Sequence, residues 1–262
     1  MLTRIITAAL LIPLALFIVY TGGWIATASV IGIGHLILYE YYAMIDRKFS
    51  KKASHFIGHF VFALSMIGLY ASLNRLPQSI YASILIGWLV VSLIELIRGH
   101  LLATHHYRAY QIRIPISIAL LLFSLIALRV LPNGVLWLSL GLGLTWLNDS
   151  LGLFIGKAMG KRKLAARISP GKTIAGAVGP LVILTSLIAC LHPYIPLPST
   201  IIWITPIVLV FAQLGDLHES LIKRYCASKD SSSIIPGHGG VYDRMDSLLF
   251  SISVLYLCAL TL

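Results

Sequence analysis

One stretch of this chain crowds carboxylates, cations and glycines together, and those types suit a metal ion and phosphates. From Asp216 it reads DLHESLIKRYCASKDSSSIIPGHGGVYDRMDS. Asp216, Glu219, Ser220 and Lys223 recur at helical spacing, so they share one face of a helix. Asp243 and Asp246 are three apart and share a face at the start of the next helix. Grouped carboxylates suit hard divalent cations. Mg2+ takes oxygen ligands, keeps several waters, and binds through one or two carboxylates plus substrate phosphates. Lys223, Arg224, Lys229 and Arg244 are the types that hold those phosphates. The glycines of Pro236-Gly237-His238-Gly239-Gly240 let backbone amides approach a phosphate closely. His238 contacts a phosphate or moves a proton. Asp230 either ligates or pairs with Lys229 or Arg244.

Two further clusters lie upstream. Asp149 falls within a long apolar run. An ionised Asp at the centre of a membrane span costs roughly 2.5–3.5 kcal/mol and would face the bundle interior or a watery cavity, whereas one at a helix end near the interface costs little. Gly152, Gly156 and Gly160 follow at four-residue spacing, which favours close helix packing. The second cluster is GKRKLAARISPGKT, from Gly160 to Thr173. Here Ser169-Pro170-Gly171-Lys172-Thr173 is expected to open a helix. Free N–H groups at that helix start would bind an anion, with Lys172 adding a point charge. Glu40 and Glu95 read as helix-end carboxylates with Arg partners, and His105 and His106 as residues of a solvated loop.

The elements that position these residues are membrane helices. The chain has 262 residues, 58% hydrophobic and 11% charged, against roughly 25% charged in a soluble domain. Runs of about 20 apolar residues are long enough to span a bilayer. Nine occur, at roughly 5–21, 24–43, 56–73, 78–97, 113–131, 134–155, 174–192, 200–218 and 245–262. The N-terminal run lacks a small-residue cleavage site and is expected to be the first span, not a signal peptide. The expected fold is thus an all-α integral membrane protein, one bundle of about nine transmembrane helices. It is one polytopic domain, 1–262, with N-terminal helices in 1–131 and a catalytic half in 132–262.

Lys and Arg favour the cytoplasmic side. Of the 20 basic residues, all but Arg75 and Arg129 fall on one set of alternating loops. That puts the N-terminus in the cytoplasm and the C-terminus outside. The nine acidic residues fall on the same side, which the positive-inside rule does not require and a site at that surface explains. The formal charge of +11 therefore reflects loops beside anionic lipid, and no basic domain is left over for nucleic acid. Cys190, Cys226 and Cys258 are far apart and show no zinc or disulfide spacing. Polar residues gathered at one surface, without an internal repeat, argue against a transporter with a midplane site.

The chain resembles the bacterial phosphatidate cytidylyltransferases, or CDP-diacylglycerol synthases. The match centres on Ser220 to Asp246: S-L-I-K-R, then K-D-S, then P-G-H-G-G, then D-R-M-D-S. Asp149 to Gly176 is similar to a second shared block. One position departs: Ala175 stands where the family often has Glu or Gln. The resemblance implies transfer of the cytidylyl group of CTP to phosphatidate, giving CDP-diacylglycerol and pyrophosphate. It implies a multi-pass protein of the bacterial inner membrane, a cytoplasmic active site, and Mg2+ with room for a second metal ion. Asp149, Asp216, Asp243 and Asp246 would bind metal, with Asp216, Lys223, Asp243 and Asp246 as the catalytic set. Ser169, Lys172, Ser220, Arg224, Lys229, His238, Gly239, Gly240 and Arg244 would hold substrate phosphates. Partners would be CTP, phosphatidate, membrane lipids and, as a homodimer, a second copy. The alternatives are another CTP-using membrane lipid or polyprenol kinase, or an inactive relative.

Overall fold

The structure, a computed structural model, describes residues 2–49, 55–73, 75–100, 107–237 and 239–262. His105, His106 and His238 lie outside the described residues. Those described form α1 (Leu2–Thr21), α2 (Gly23–Phe49), α3 (His55–Ser72), α4 (Gln78–Arg98), α5 (Tyr107–Val130), α6 (Gly134–Met159), α7 (Ile174–Leu191), α8 (Ile201–Tyr225) and α9 (Tyr242–Ala259). Seven of these helices, α2 to α8, are long and apolar enough to cross a membrane. The chain is an all-α membrane protein in this sense. In α1 the apolar stretch Ala9–Thr21 is shorter. Three charged residues, Asp243, Arg244 and Asp246, occupy the first turns of α9.

One departure from the all-α expectation lies between α6 and α7. Lys163–Ala165 (β1) and Ser169–Thr173 (β2) form an antiparallel pair, with Lys163 opposite Thr173 and Ala165 opposite Ser169. Ser169 to Thr173 therefore does not open a helix, contrary to the sequence reading. Pro170 and Gly171 are poor helix residues, and an extended segment suits both. The helix begins one residue later. Thr173 is its N-cap, and its hydroxyl accepts the Gly176 N–H at 3.1 Å, which satisfies one of the free amides of the first turn.

The last helix is the hub of the bundle. From Ser247 to Tyr256 every residue of α9 is buried, and α2, α5, α6 and α8 pack around it. Its serines find partners inside. Ser251 meets Thr145 at 2.8 Å, and Ser253 meets Ser124 at 3.0 Å. Such pairs satisfy hydroxyls at a depth where water is scarce. Glycines set the closest approaches. A Cβ on Gly215 of α8 would lie 2.5 Å from the Asp246 carbonyl oxygen, and one on Gly176 of α7 2.5 Å from that of Gly152 on α6. Small residues thus bring α8 against α9 and α6 against α7.

Candidate active site

Those close approaches gather the acids. Asp216 and Glu219 stand one turn apart on α8, and Asp246 faces them from α9. One carboxylate oxygen from each lies within 4.8 Å of the other two. Glu219 is 1% exposed, and its Oε1 has no hydrogen-bond partner among the described residues. Asp246 accepts the N–H of Ser247 at 2.7 Å. Asp149 of α6 joins from the side, 3.4 Å from the Ser247 hydroxyl.

Two lysines offset part of this charge. Lys172 of β2 pairs with Asp216 at 2.8 Å and donates to the Gln213 carbonyl at 3.3 Å. Lys223 pairs with Glu219 at 2.5 Å and Asp243 at 2.8 Å. Asp149, Asp216, Glu219, Asp243 and Asp246 thus outnumber the lysines that face them, Lys172 and Lys223. A buried carboxylate oxygen without a partner, next to two more carboxylates, is costly unless a proton or a cation completes the set. The donor set, all oxygen, fits a hard divalent cation.

Asp243 is differently placed from the other acids. Besides Lys223, its oxygens accept the Ser231 N–H at 3.0 Å, the Ser231 hydroxyl at 2.9 Å and the Gly240 N–H at 2.8 Å. It sits in the first turn of α9, ahead of the apolar run. Burial by itself raises its pKa. Hydrogen bonds, that from Lys223 foremost, outweigh burial and hold the carboxyl below the usual range.

The loop between α8 and α9 opens a cavity of about 590 Å3, bordered by Lys229, Asp230, Ser232, Ser233, Gly239 and Arg244. Lys229 and Arg244 are exposed. Arg224 turns the other way and donates to the Ile168 carbonyl at 3.2 Å, tying α8 to the β1–β2 turn. Ser220 donates to Asp216 at 3.4 Å. Gly240 approaches side chains: a Cβ there would lie 1.9 Å from the Ser231 hydroxyl.

Several further residues shape the site with weaker signals in the sequence. Glu219 belongs to the acidic trio, and its helical spacing from Asp216 was the available signal. Gln213 donates to Asn148 at 3.1 Å and to the Ala177 carbonyl at 2.9 Å, joining α8 to α6 and α7. Glu95 has its arginine partner, Arg113 at 2.6 Å, and also meets His218 at 3.0 Å. Glu40 lies inside α2, and among the described residues its carboxylate meets no arginine. It is buried, and it accepts hydrogen bonds from Ser231, Ser232, Val241 and Tyr242.

The model of the cytidylyltransferase family matches residues 2–262 of the chain. The chain belongs to this family. Among curated cytidylyltransferases, a phosphatidate cytidylyltransferase of Brucella abortus is 31% identical over 271 residues, covering 97% of this chain and 92% of that protein. One of Bacillus subtilis is 47% identical over 114 residues, 42% of each chain. One of Staphylococcus aureus is 45% identical over 117 residues, 43% of this chain and 44% of that one. Within the chain the acidic trio and the α8–α9 loop are joined through Lys223, which touches both Glu219 and the loop-bound Asp243.

Proposed function

We propose that this protein transfers the cytidylyl group of CTP to phosphatidate, releasing pyrophosphate and leaving CDP-diacylglycerol in the membrane. The observation that carries the reading is the acidic trio with its unpartnered Glu219 oxygen, tied through Lys223 and Asp243 to a loop whose cavity is bordered by cations. The relatives' shared name, phosphatidate cytidylyltransferase, supports the same substrates.

The chemistry needs placement and charge neutralisation more than proton transfer. A phosphate monoester has its second pKa near about 6, so phosphatidate is largely dianionic at neutral pH. One of its oxygens attacks the α-phosphorus of CTP. The bond from that phosphorus to the bridging oxygen breaks, and pyrophosphate leaves with the electron pair. Lys229 and Arg244 hold the triphosphate from the cavity rim, with Gly239 in its wall. Lys172 places a positive charge beside Asp216, where the reacting phosphates meet. Ser220 contacts Asp216 there, and Ser169 and Arg224 are further candidate phosphate ligands. Asp216, Glu219 and Asp246 would hold Mg2+, with Asp149 alongside. An ion held by these carboxylates would supply neutralisation of phosphate charge and polarisation of the phosphorus under attack. Asp243, read from sequence as a metal ligand, is assigned here to holding the loop, and Lys223 to joining loop and trio.

The same reading gives nine spans in one continuous domain, with residues 1–131 as scaffold and 132–262 as catalytic half. The N-terminus and the active site face the cytoplasm of a bacterial inner membrane, and the diacyl tails stay in lipid. The test is purified protein with phosphatidate, Mg2+ and CTP labelled at the α-phosphate. Label should pass to lipid with one pyrophosphate released per transfer. Chelation of Mg2+ should stop the reaction, and Asp246→Asn should abolish it while the protein still inserts. Release of CDP, with the γ-phosphoryl group on a lipid, would replace this reading with a kinase.

A further inference from the structure

Glu40 is a buried acid that the chemistry above does not use. It lies in α2, 202 residues before Tyr242. Each of its oxygens accepts one hydroxyl and one backbone amide. Oε1 takes the Ser232 hydroxyl at 2.6 Å and the Val241 N–H at 2.8 Å. Oε2 takes the Ser231 hydroxyl at 3.1 Å and the Tyr242 N–H at 2.8 Å. The first amides of a helix have no partner within it. The N-cap of α9, Val241, offers no side-chain bond. Glu40 therefore caps α9 from a distant helix, and its charge faces the positive end of the helix dipole. The same carboxylate holds Ser231 and Ser232 at the other end of the loop. Both ends are fastened at one point, and the residues between them line the cavity.

We infer that Glu40 is the positioning residue of the nucleotide pocket: it holds the loop from Ser231 to Tyr242 in the shape that accepts CTP, without touching the nucleotide. This rests on the reading that the loop cavity takes the triphosphate. The clamp also reaches the acids. The Ser231 hydroxyl oxygen lies 3.1 Å from Glu40 Oε2 and 2.9 Å from Asp243 Oδ2, and the two carboxylates share its single proton. Asp243 in turn holds Lys223, and Lys223 holds Glu219.

Glu40→Gln keeps the shape and breaks the pattern. Each oxygen receives a backbone N–H, so an amide NH2 must oppose one of them whichever way it is turned. Hydroxyls can rotate to accept, but a backbone N–H cannot. In the full-length protein in lipid nanodiscs, MgCTP binding is first measured by calorimetry without phosphatidate, then initial rates with both substrates. For Glu40→Gln the Kd and KM for CTP should rise about tenfold, roughly 1.4 kcal/mol. The KM for phosphatidate should stay within about twofold, and Tm close to wild type. Ser231→Ala, which removes the shared hydroxyl, should move the CTP KM the same way by a smaller factor. A CTP KM unchanged in both variants overturns the inference. So does an equal loss for both substrates with a matching fall in Tm, which would make Glu40 a brace only. If Glu40→Gln does not fold, Ser231→Ala decides by the same criterion. The pocket reading has its own control in Lys229→Ala and Arg244→Ala. If wild type binds MgCTP and both of these bind it equally well, that reading fails, and the inference with it.

Discussion

Lys223 stands between Glu219 and Asp243 with its side chain only 13% exposed, so removing either acid leaves poorly hydrated charge behind. Asp243→Asn also weakens the acceptor for the Ser231 and Gly240 amides. It should cost roughly 1–3 kcal/mol, read as a lower Tm in detergent. The pH dependence of that difference follows from the depressed Asp243 pKa. A carboxyl lowered on folding stabilises fully above its unfolded value, about 3.9. The contribution is lost as pH falls through the folded value. The Tm gap between wild type and Asp243→Asn should therefore be constant from neutral pH to about 5 and close in stronger acid. Glu219→Gln separates metal binding from loop holding. It should raise the Mg2+ concentration for half-maximal activity by about tenfold or more. An unchanged Mg2+ titration would remove Glu219 from the ligand set.

At the scale of elements, two glycines on neighbouring helices predict opposite outcomes. Gly176 lies where a Cβ would come 2.5 Å from a backbone oxygen of α6, while Gly143 has nothing within 4 Å of such an atom. Gly176→Ala should push α7 from α6, displace the Lys172 strand and cost about 1–3 kcal/mol, with a clear loss of activity. Gly143→Ala should leave activity near wild type, since Ala suits a helix better than Gly. Circular dichroism melts and initial rates distinguish them. The helix periods and the four-residue glycine stripe of α6 were legible in the chain, because both are local patterns. The β1–β2 hairpin was not. Its strands are three and five residues long, too short for a periodic signal, and Pro170 beside Gly171 reads equally as a loop. The role of α9 as hub was hidden as well. Its serines lower its apolarity, and only the facing hydroxyls of Thr145 and Ser124 show that they are buried in pairs.

At the scale of the molecule, the alternation of basic and uncharged loops predicts sidedness. Single cysteines in a cysteine-free background, probed with a membrane-impermeant thiol reagent, test it. Trp24→Cys and Tyr194→Cys, both at exposed positions, should label from outside in intact cells. Lys161→Cys should label only after the inner face is opened. Labelling of Lys161→Cys from outside would invert the proposed orientation and move the active site to the other face.

Apolar helices of membrane-spanning length follow from the order of residues alone. That order also places Asp216, Glu219 and Lys223 on one helical face. Transfer from water to lipid is summed residue by residue, and helical facing follows from local spacing, so neither needs a partner to be known. Which acid meets which group was decided only by the tertiary structure. Asp243 and Asp246 share a turn of α9, yet Asp243 accepts the Ser231 and Gly240 amides of the loop, while Asp246 belongs to the trio where Gly215 lets α8 approach α9. Glu40 is the clearest case. In sequence it is one acid in an apolar run. Its four donors lie 191 to 202 residues away, and no local pattern records a pairing of that kind.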